Sequence, residues 1–214
     1  MAKKFTVLFQ GDSITDCGRM SCGGAGFTNE NMGPGYPGMA AARLLCDRPE
    51  IDWSFFNRGI SGNRVVDLYA RWKCDGINLK PNLVSILIGV NDTWHEVGSK
   101  NGVEVPRYER FYREILQWTR DELPKVKFIL MEPFILDVGT LPPEGVAEVK
   151  ERAVVTKKLA KEFGAAFVPC QSILDKQLKT TKPEHWSKDG VHPTAAGHQL
   201  LTDAWLKAAK DLLP

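Results

Sequence analysis

Phe5-Thr6-Val7-Leu8-Phe9-Gln10-Gly11-Asp12-Ser13-Ile14-Thr15-Asp16 is the stretch on which the reading of this chain turns. Its first half, Phe5 to Gln10, is apolar and rich in β-formers, which predicts a buried strand. Gly11 then breaks the run and delivers Asp12, Ser13 and Asp16 to the strand's end. Open α/β sheets bind ligands at the carboxyl ends of their strands, so position alone makes Ser13 a candidate nucleophile. An isolated Gly-Asp-Ser is equally read as Asp12 or Ser13 capping a following turn or helix.

Outward from this stretch, strands and helices alternate. The glycine-rich run Cys17–Gly38, with Pro34 and Pro37, has no periodicity and is expected to form a long loop beside the candidate nucleophile. Met39–Cys46 reads as a helix and Trp53–Asn57 as a second strand. The glycines of Asn57–Asn63 interrupt the chain before a helix carrying Val65, Leu68, Tyr69 and Trp72 at helical spacing. Leu83–Ile88 is apolar apart from Ser85, as a strand covered on both faces would be, and Gly89 presents Val90, Asn91 and Asp92 at its end. Arg107–Leu123 is an amphipathic helix closed by Pro124. Phe128–Met131, Val146–Phe163 and Ala166–Val168 continue as strand, helix and strand, with Glu132–Gly145 a second candidate rim loop. A last helix from Thr194 carries Leu200, Ala204, Ala208 and Leu212 at four-residue intervals beside Leu201 and Trp205. Such alternation implies one domain over residues 1–214, a three-layer α/β/α fold around a parallel sheet.

Composition excludes several classes of function. The 214 residues are 43% hydrophobic and 25% charged with a formal net charge of +2, ordinary for a globular protein. Lys and Arg are scattered, so no nucleic-acid-binding surface is expected. Neither a membrane span nor a signal-peptide core is present, which points to a cytoplasmic protein. Cys17, Cys22, Cys46, Cys74 and Cys170 form no CxxC pair and are read as reduced thiols. No metal or cofactor is expected; His95, His185 and His198 lack ligand spacing and are read as polar surface or capping residues.

A serine hydroxyl needs a base, and the base needs a carboxylate to orient it. Asp189-Gly190-Val191-His192-Pro193 supplies both from one turn, although Asp189 there is also a plausible cap. Acyl transfer further needs donors aimed at a developing oxyanion. Gly62 has no Cβ to keep a substrate from its N–H, and the Asn91 side chain can donate where an ionised Asp cannot. Taken singly, a helix-entry glycine and a capping asparagine explain these two.

Together the blocks GDS (11–13), the glycine turn (57–63), GVND (89–92) and DxxH (189–192) resemble the SGNH hydrolase superfamily, also called GDSL-type esterases, over nearly the whole chain. The resemblance implies a flavodoxin-like fold with a five-stranded parallel sheet in the order 2-1-3-4-5. It also implies that Ser13 is the nucleophile, His192 the base and Asp189 its partner, and that Gly62 and Asn91 complete an oxyanion hole begun by the Ser13 N–H. The segments GDSITDCGR, GISGN with DLYARW, and SILIGVNDTWHE further resemble serine esterases that remove acetyl groups from xylan and xylo-oligosaccharides. Tyr36, Trp72, Trp94 and Trp186 are candidate sugar platforms, of which Trp94 and Trp186 lie nearest the blocks in sequence. The expected function is a serine esterase for acetylated oligosaccharides, with homo-oligomerisation left open. A thioesterase or lysophospholipase of the same superfamily and a non-catalytic module binding phosphate or flavin are the alternatives.

Overall fold

The computed structural model describes residues 3–20 and 31–214. In chain order the elements are β1 (Lys3–Gly11), α1 (Ser13–Asp16), α2 (Tyr36–Asp47), β2 (Ile51–Asn57), α3 (Val65–Asp75), β3 (Leu83–Leu87), α4 (Val90–Ser99), α5 (Val105–Glu122), β4 (Lys127–Met131), α6 (Pro143–Glu162), β5 (Ala166–Val168), α7 (Cys170–Gln177) and α8 (Ala195–Ala209). The strands form one sheet in the order β2-β1-β3-β4-β5 with every neighbouring pair parallel. The order reverses beside β1, which puts Ser13 at the switch point where such sheets open a crevice.

The period of two along each strand builds two cores. Val7 and Phe9 join Leu83, Leu87, Ile129 and Met131 on one face, under Ala40 and Leu44 of α2 and Leu201 and Trp205 of α8. Leu8 joins Val84, Ile86, Phe128 and Leu130 on the other, under Leu68 and Trp72 of α3, Tyr112 and Ile115 of α5 and Leu159 of α6. Central strands covered on both sides must be apolar throughout, and Ser85 is the exception in β3. It is fully buried, and its hydroxyl accepts the Trp205 indole N–H at 2.9 Å. A buried hydroxyl so satisfied avoids the penalty of an orphaned polar group.

Several boundaries differ from the sequence-based expectation. Helix α2 starts at Tyr36, with Pro37 in its first turn, where a missing N–H costs nothing; the loop expected over Cys17–Gly38 is therefore shorter at its far end, and residues 21–30 lie outside the described ones. Helices α4 and α7 were not expected, since α4 buries Asn91, Asp92 and Thr93 in its first turns and offers no apolar stripe to read. The buried side of α8 is His198, Leu201, Thr202, Trp205 and Ala209, while Leu200, Ala204 and Ala208 are only partly buried. A strict four-residue interval rotates by about 40° at each step around a helix of 3.6 residues per turn, so it cannot stay on one face.

Candidate active site

β1 ends at Gly11, and the next residue caps α1: Asp12 Oδ1 accepts the Ile14 N–H at 3.0 Å. The capping reading of Gly-Asp-Ser therefore holds for Asp12, and Ser13 is the first helical residue with its hydroxyl free to meet a partner. Burial pushes the Asp12 carboxyl up to about 7, against the Ile14 N–H and the nearby His192, which pull it down. No residue from Asp12 to Asp16 has a positive φ; the left-handed residues are Cys17 (φ 39°) and Gly18 (φ 69°), just beyond.

The DxxH turn meets Ser13 across the crevice. Ser13 Oγ is 2.8 Å from His192 Nε2, and His192 Nδ1 is 2.6 Å from Asp189 Oδ2. With Nδ1–H donating to the carboxylate, Nε2 is left as the acceptor for the serine hydroxyl, the arrangement that lets an imidazole take a proton from an attacking oxygen. Asp189 Oδ1 accepts from the backbone N–H groups of Val191 (3.0 Å) and His192 (2.8 Å) and from the Ser187 hydroxyl (3.1 Å). Partial burial raises the Asp189 carboxyl, but the hydrogen bonds from His192 and Val191 outweigh it and hold the group down at about 2.

Gly190 makes this turn possible: its φ is +82°, and a Cβ there would run into the Leu136 carbonyl oxygen. Leu136 also receives support from the turn, its N–H donating to the Gly190 carbonyl at 2.8 Å. A left-handed non-glycine residue costs about 1–2 kcal/mol before any clash. Gly190→Ala is therefore expected to destabilise the protein by at least about 2 kcal/mol and to lower the Tm by roughly 4–8 °C. Thermal melting of the variant checks this, and an unchanged Tm would show that the turn tolerates a side chain.

Two further strand ends carry the candidate oxyanion donors. After β2 the chain turns through Gly62 (φ +82°), and after β3 Asn91 stands in the first turn of α4. Asn91 Nδ2 donates to the Asn63 carbonyl at 3.2 Å; an amide has two N–H groups, so one fixes the orientation and the other remains for a ligand. The turn is tied to α1. Asp16 Oδ2 accepts both the N–H (3.1 Å) and the hydroxyl (2.8 Å) of Ser61, and Asn57 Nδ2 donates to the carbonyls of Thr15 (2.7 Å) and Met32 (2.8 Å). Asn57 was missed in the sequence, where its signal was a polar residue directly after the apolar pair Phe55-Phe56 at the strand's end.

The model of the GDSL-like lipase/acylhydrolase family matches residues 9–200. The chain belongs to this family. An acetylxylan esterase from Geobacillus stearothermophilus is 38% identical over 94% of this chain and 92% of its own length. Among solved structures, a GDSL-like lipase-family protein from Parabacteroides merdae superposes with a TM-score of 0.92 at 39% identity, covering 100% of this chain and 98% of that one. An acetylxylan esterase structure from Geobacillus stearothermophilus superposes at 0.86 with 36% identity, covering 97% and 96%. These similarities support a carboxylic ester hydrolase of the GDSL family.

On this GDSL scaffold the aromatic candidates separate. Tyr36 is fully buried, its hydroxyl 3.0 Å from Thr15 Oγ1, and it offers no face to a sugar. Trp72 is also fully buried and donates to Thr119 Oγ1 at 2.7 Å. Both belong to the core because each sits on the inner face of a helix. Trp94 is half-buried with its ring 6.1 Å from that of His192. Trp186 is half-buried on the loop before Asp189, its indole N–H donating to Thr181 Oγ1 at 2.7 Å and its ring edge-on to His185 at 4.6 Å.

His198, expected at the surface or as a cap, is buried at 5% exposure. Its Nδ1 accepts the Tyr36 N–H at 3.2 Å, so Nε2 carries the proton toward the Cys17 sulfur at 3.3 Å. Burial lowers its pKa to about 4, which keeps it neutral and fastens α8 to α2. Cys17, Cys46, Cys74 and Cys170 are free thiols, and Cys22 lies outside the described residues. Among the described residues no group of three or more His, Cys, Asp or Glu could hold a metal, and no helix is long and apolar enough to cross a membrane. The Glu132–Gly145 loop buttresses the DxxH turn, Thr140 Oγ1 donating to the Asp189 carbonyl. With the start of α6 it also lines a cavity of about 780 Å³, to which none of Ser13, Gly62, Asn91, Asp189 and His192 contributes.

Proposed function

We propose that this chain is a serine esterase that removes short acyl groups, acetyl above all, from xylo-oligosaccharides or other acetylated sugars. The observation that carries the serine mechanism is the continuous relay from Ser13 Oγ through His192 to Asp189 at 2.8 and 2.6 Å; the Gly62 turn is bonded to α1 through Ser61 and Asp16, and Asn91 to that turn through Asn63. Ser13 attacks the ester carbonyl while His192 takes its proton. The tetrahedral oxyanion is held by the N–H groups of Ser13 and Gly62 and by the free N–H of the Asn91 amide. His192 returns the proton to the departing alkoxide, the acyl-enzyme forms, and water enters by the same route. No cofactor takes part in these steps.

Similarity to acetylxylan esterases supports the sugar substrate, and Trp94 beside His192 offers an apolar face where the leaving sugar departs. Acyl length tests this reading. Each methylene that could be buried would favour binding by about 0.8 kcal/mol, whereas a pocket built for acetyl misplaces a longer chain, and small misplacements cost about 10²-fold. The kcat/KM for p-nitrophenyl esters is expected to fall steeply from acetate to butyrate to octanoate. Trp94→Ala and Trp186→Ala should each hurt acetylated xylo-oligosaccharides more than p-nitrophenyl acetate. A rate that climbs with chain length would favour a lipid or thioester substrate and leave the triad assignment intact.

A further inference from the structure

Helix α4 presents Asn91, Trp94 and His95 at spacings of three and four residues, which places them on one face. The first is the candidate oxyanion amide and the second lies against His192. His95 completes the row, and the structure puts it where its sequence gave no hint. Among the described residues, leaving aside the glycine's chain neighbours, the atoms within 4 Å of the position a Cβ on Gly62 would occupy are Cε1 and Nε2 of His95, each 3.9 Å away. The imidazole thus covers the open side of the glycine whose N–H is a candidate oxyanion donor.

This ring has no structural task to explain it. It is half-buried, and among the described residues neither ring nitrogen makes a hydrogen bond, while the His95 carbonyl accepts from Ser99 Oγ and from the N–H groups of Lys100 and Asn101. Asp67 on α3 is within electrostatic reach of it, but both Asp67 oxygens are already engaged by the Arg64 guanidinium at 2.9 and 3.0 Å. With that ring in van der Waals range of the space beside Gly62, a substrate whose carbonyl oxygen is held there would have part of itself close to the imidazole. Were that part an acyl chain, two polar ring atoms would lose water and gain nothing, an unfavourable exchange. A hydroxylated alcohol instead offers both a donor and an acceptor, and an imidazole can use either.

We propose that His95 is a specificity-determining residue that hydrogen-bonds a free hydroxyl on the carbon adjacent to the one bearing the acyl ester, so that the enzyme favours sugars acetylated at one oxygen of a vicinal diol. The inference rests on the sugar-deacetylase reading above. It extends that reading from the acyl group to the substituent beside it.

The test compares wild type, His95→Ala and His95→Gln on three substrates: a monoacetylated xylo-oligosaccharide with its neighbouring hydroxyl free, the same oligosaccharide fully acetylated, and p-nitrophenyl acetate. His95→Ala is expected to lower kcat/KM about 10-fold on the first substrate. The other two, lacking the hydroxyl, should change less than twofold. His95→Gln, which keeps a donor and an acceptor, should recover part of the loss. An equal fall on all three substrates, or no fall on the first, would overturn the assignment. A wild type that cleaves p-nitrophenyl acetate but neither oligosaccharide would bring down the sugar reading itself, and this inference with it. Thermal melting of both variants guards against misfolding.

Discussion

Ser13→Ala and His192→Ala, each made alone, should lower kcat by on the order of 10⁶-fold, and the double variant should fall little further. Nucleophile and base act as one unit: without the hydroxyl there is nothing for His192 to deprotonate, and without the imidazole the hydroxyl keeps its proton. Asp189→Asn should cost about 10⁴-fold, since an amide facing Nδ1 no longer selects the tautomer that leaves Nε2 as an acceptor. The measurement is single-turnover hydrolysis of p-nitrophenyl acetate by variants whose circular dichroism matches wild type. A folded Ser13→Ala protein retaining more than a few per cent of turnover would show that another residue is the nucleophile.

The second largest effect is expected at Asn91. Asn91→Ala should lower kcat by about 10²- to 10³-fold with a smaller change in KM, because its free N–H meets a full negative charge only in the tetrahedral transition state. The bond from Nδ2 to the Asn63 carbonyl makes the donor ready before substrate arrives, so no reorientation offsets the gain. Asn91→Asp should be at least as damaging, since an acceptor would replace the donor. If the loss falls mainly on KM, the residue binds substrate or shapes the turn and does not serve the oxyanion.

Much of this architecture could be read from the chain because its central strands are covered on both faces. Phe5–Phe9 of β1 and all of β3 are apolar apart from Thr6 and Ser85, and the strand ends carry the punctuating glycines that locate Ser13 and Asn91. The strand order and the grouping of Gly62 with Asn91 came from resemblance to the family; periodicity could not supply them. Local pattern failed where burial is polar. Helix α4 hides behind Asn91, Asp92 and Thr93, and the start of α2 hides behind Pro37, which left Tyr36 looking like a loop aromatic. Isolated histidines carry no period at all. Only the packing of α8 against α2 shows His198 to be a buried neutral link, and only the approach of α4 to the Gly62 turn gives His95 a surrounding that calls for a ligand.

The left-handed residues Cys17 and Gly18 follow α1 and do not include Ser13, and the segment is held by contacts other than the serine's own: the Asp12 cap, the Thr15 carbonyl and the Asp16 carboxylate. Exchanging the serine therefore relaxes nothing. In a site that concentrates strain on its nucleophile, an inactive variant is often a more stable and slightly rearranged protein, and complexes trapped in it misreport the working geometry. Here the alanine variant should hold an intact ester in the same cradle the live enzyme uses, which makes it a faithful host for capturing a substrate before cleavage.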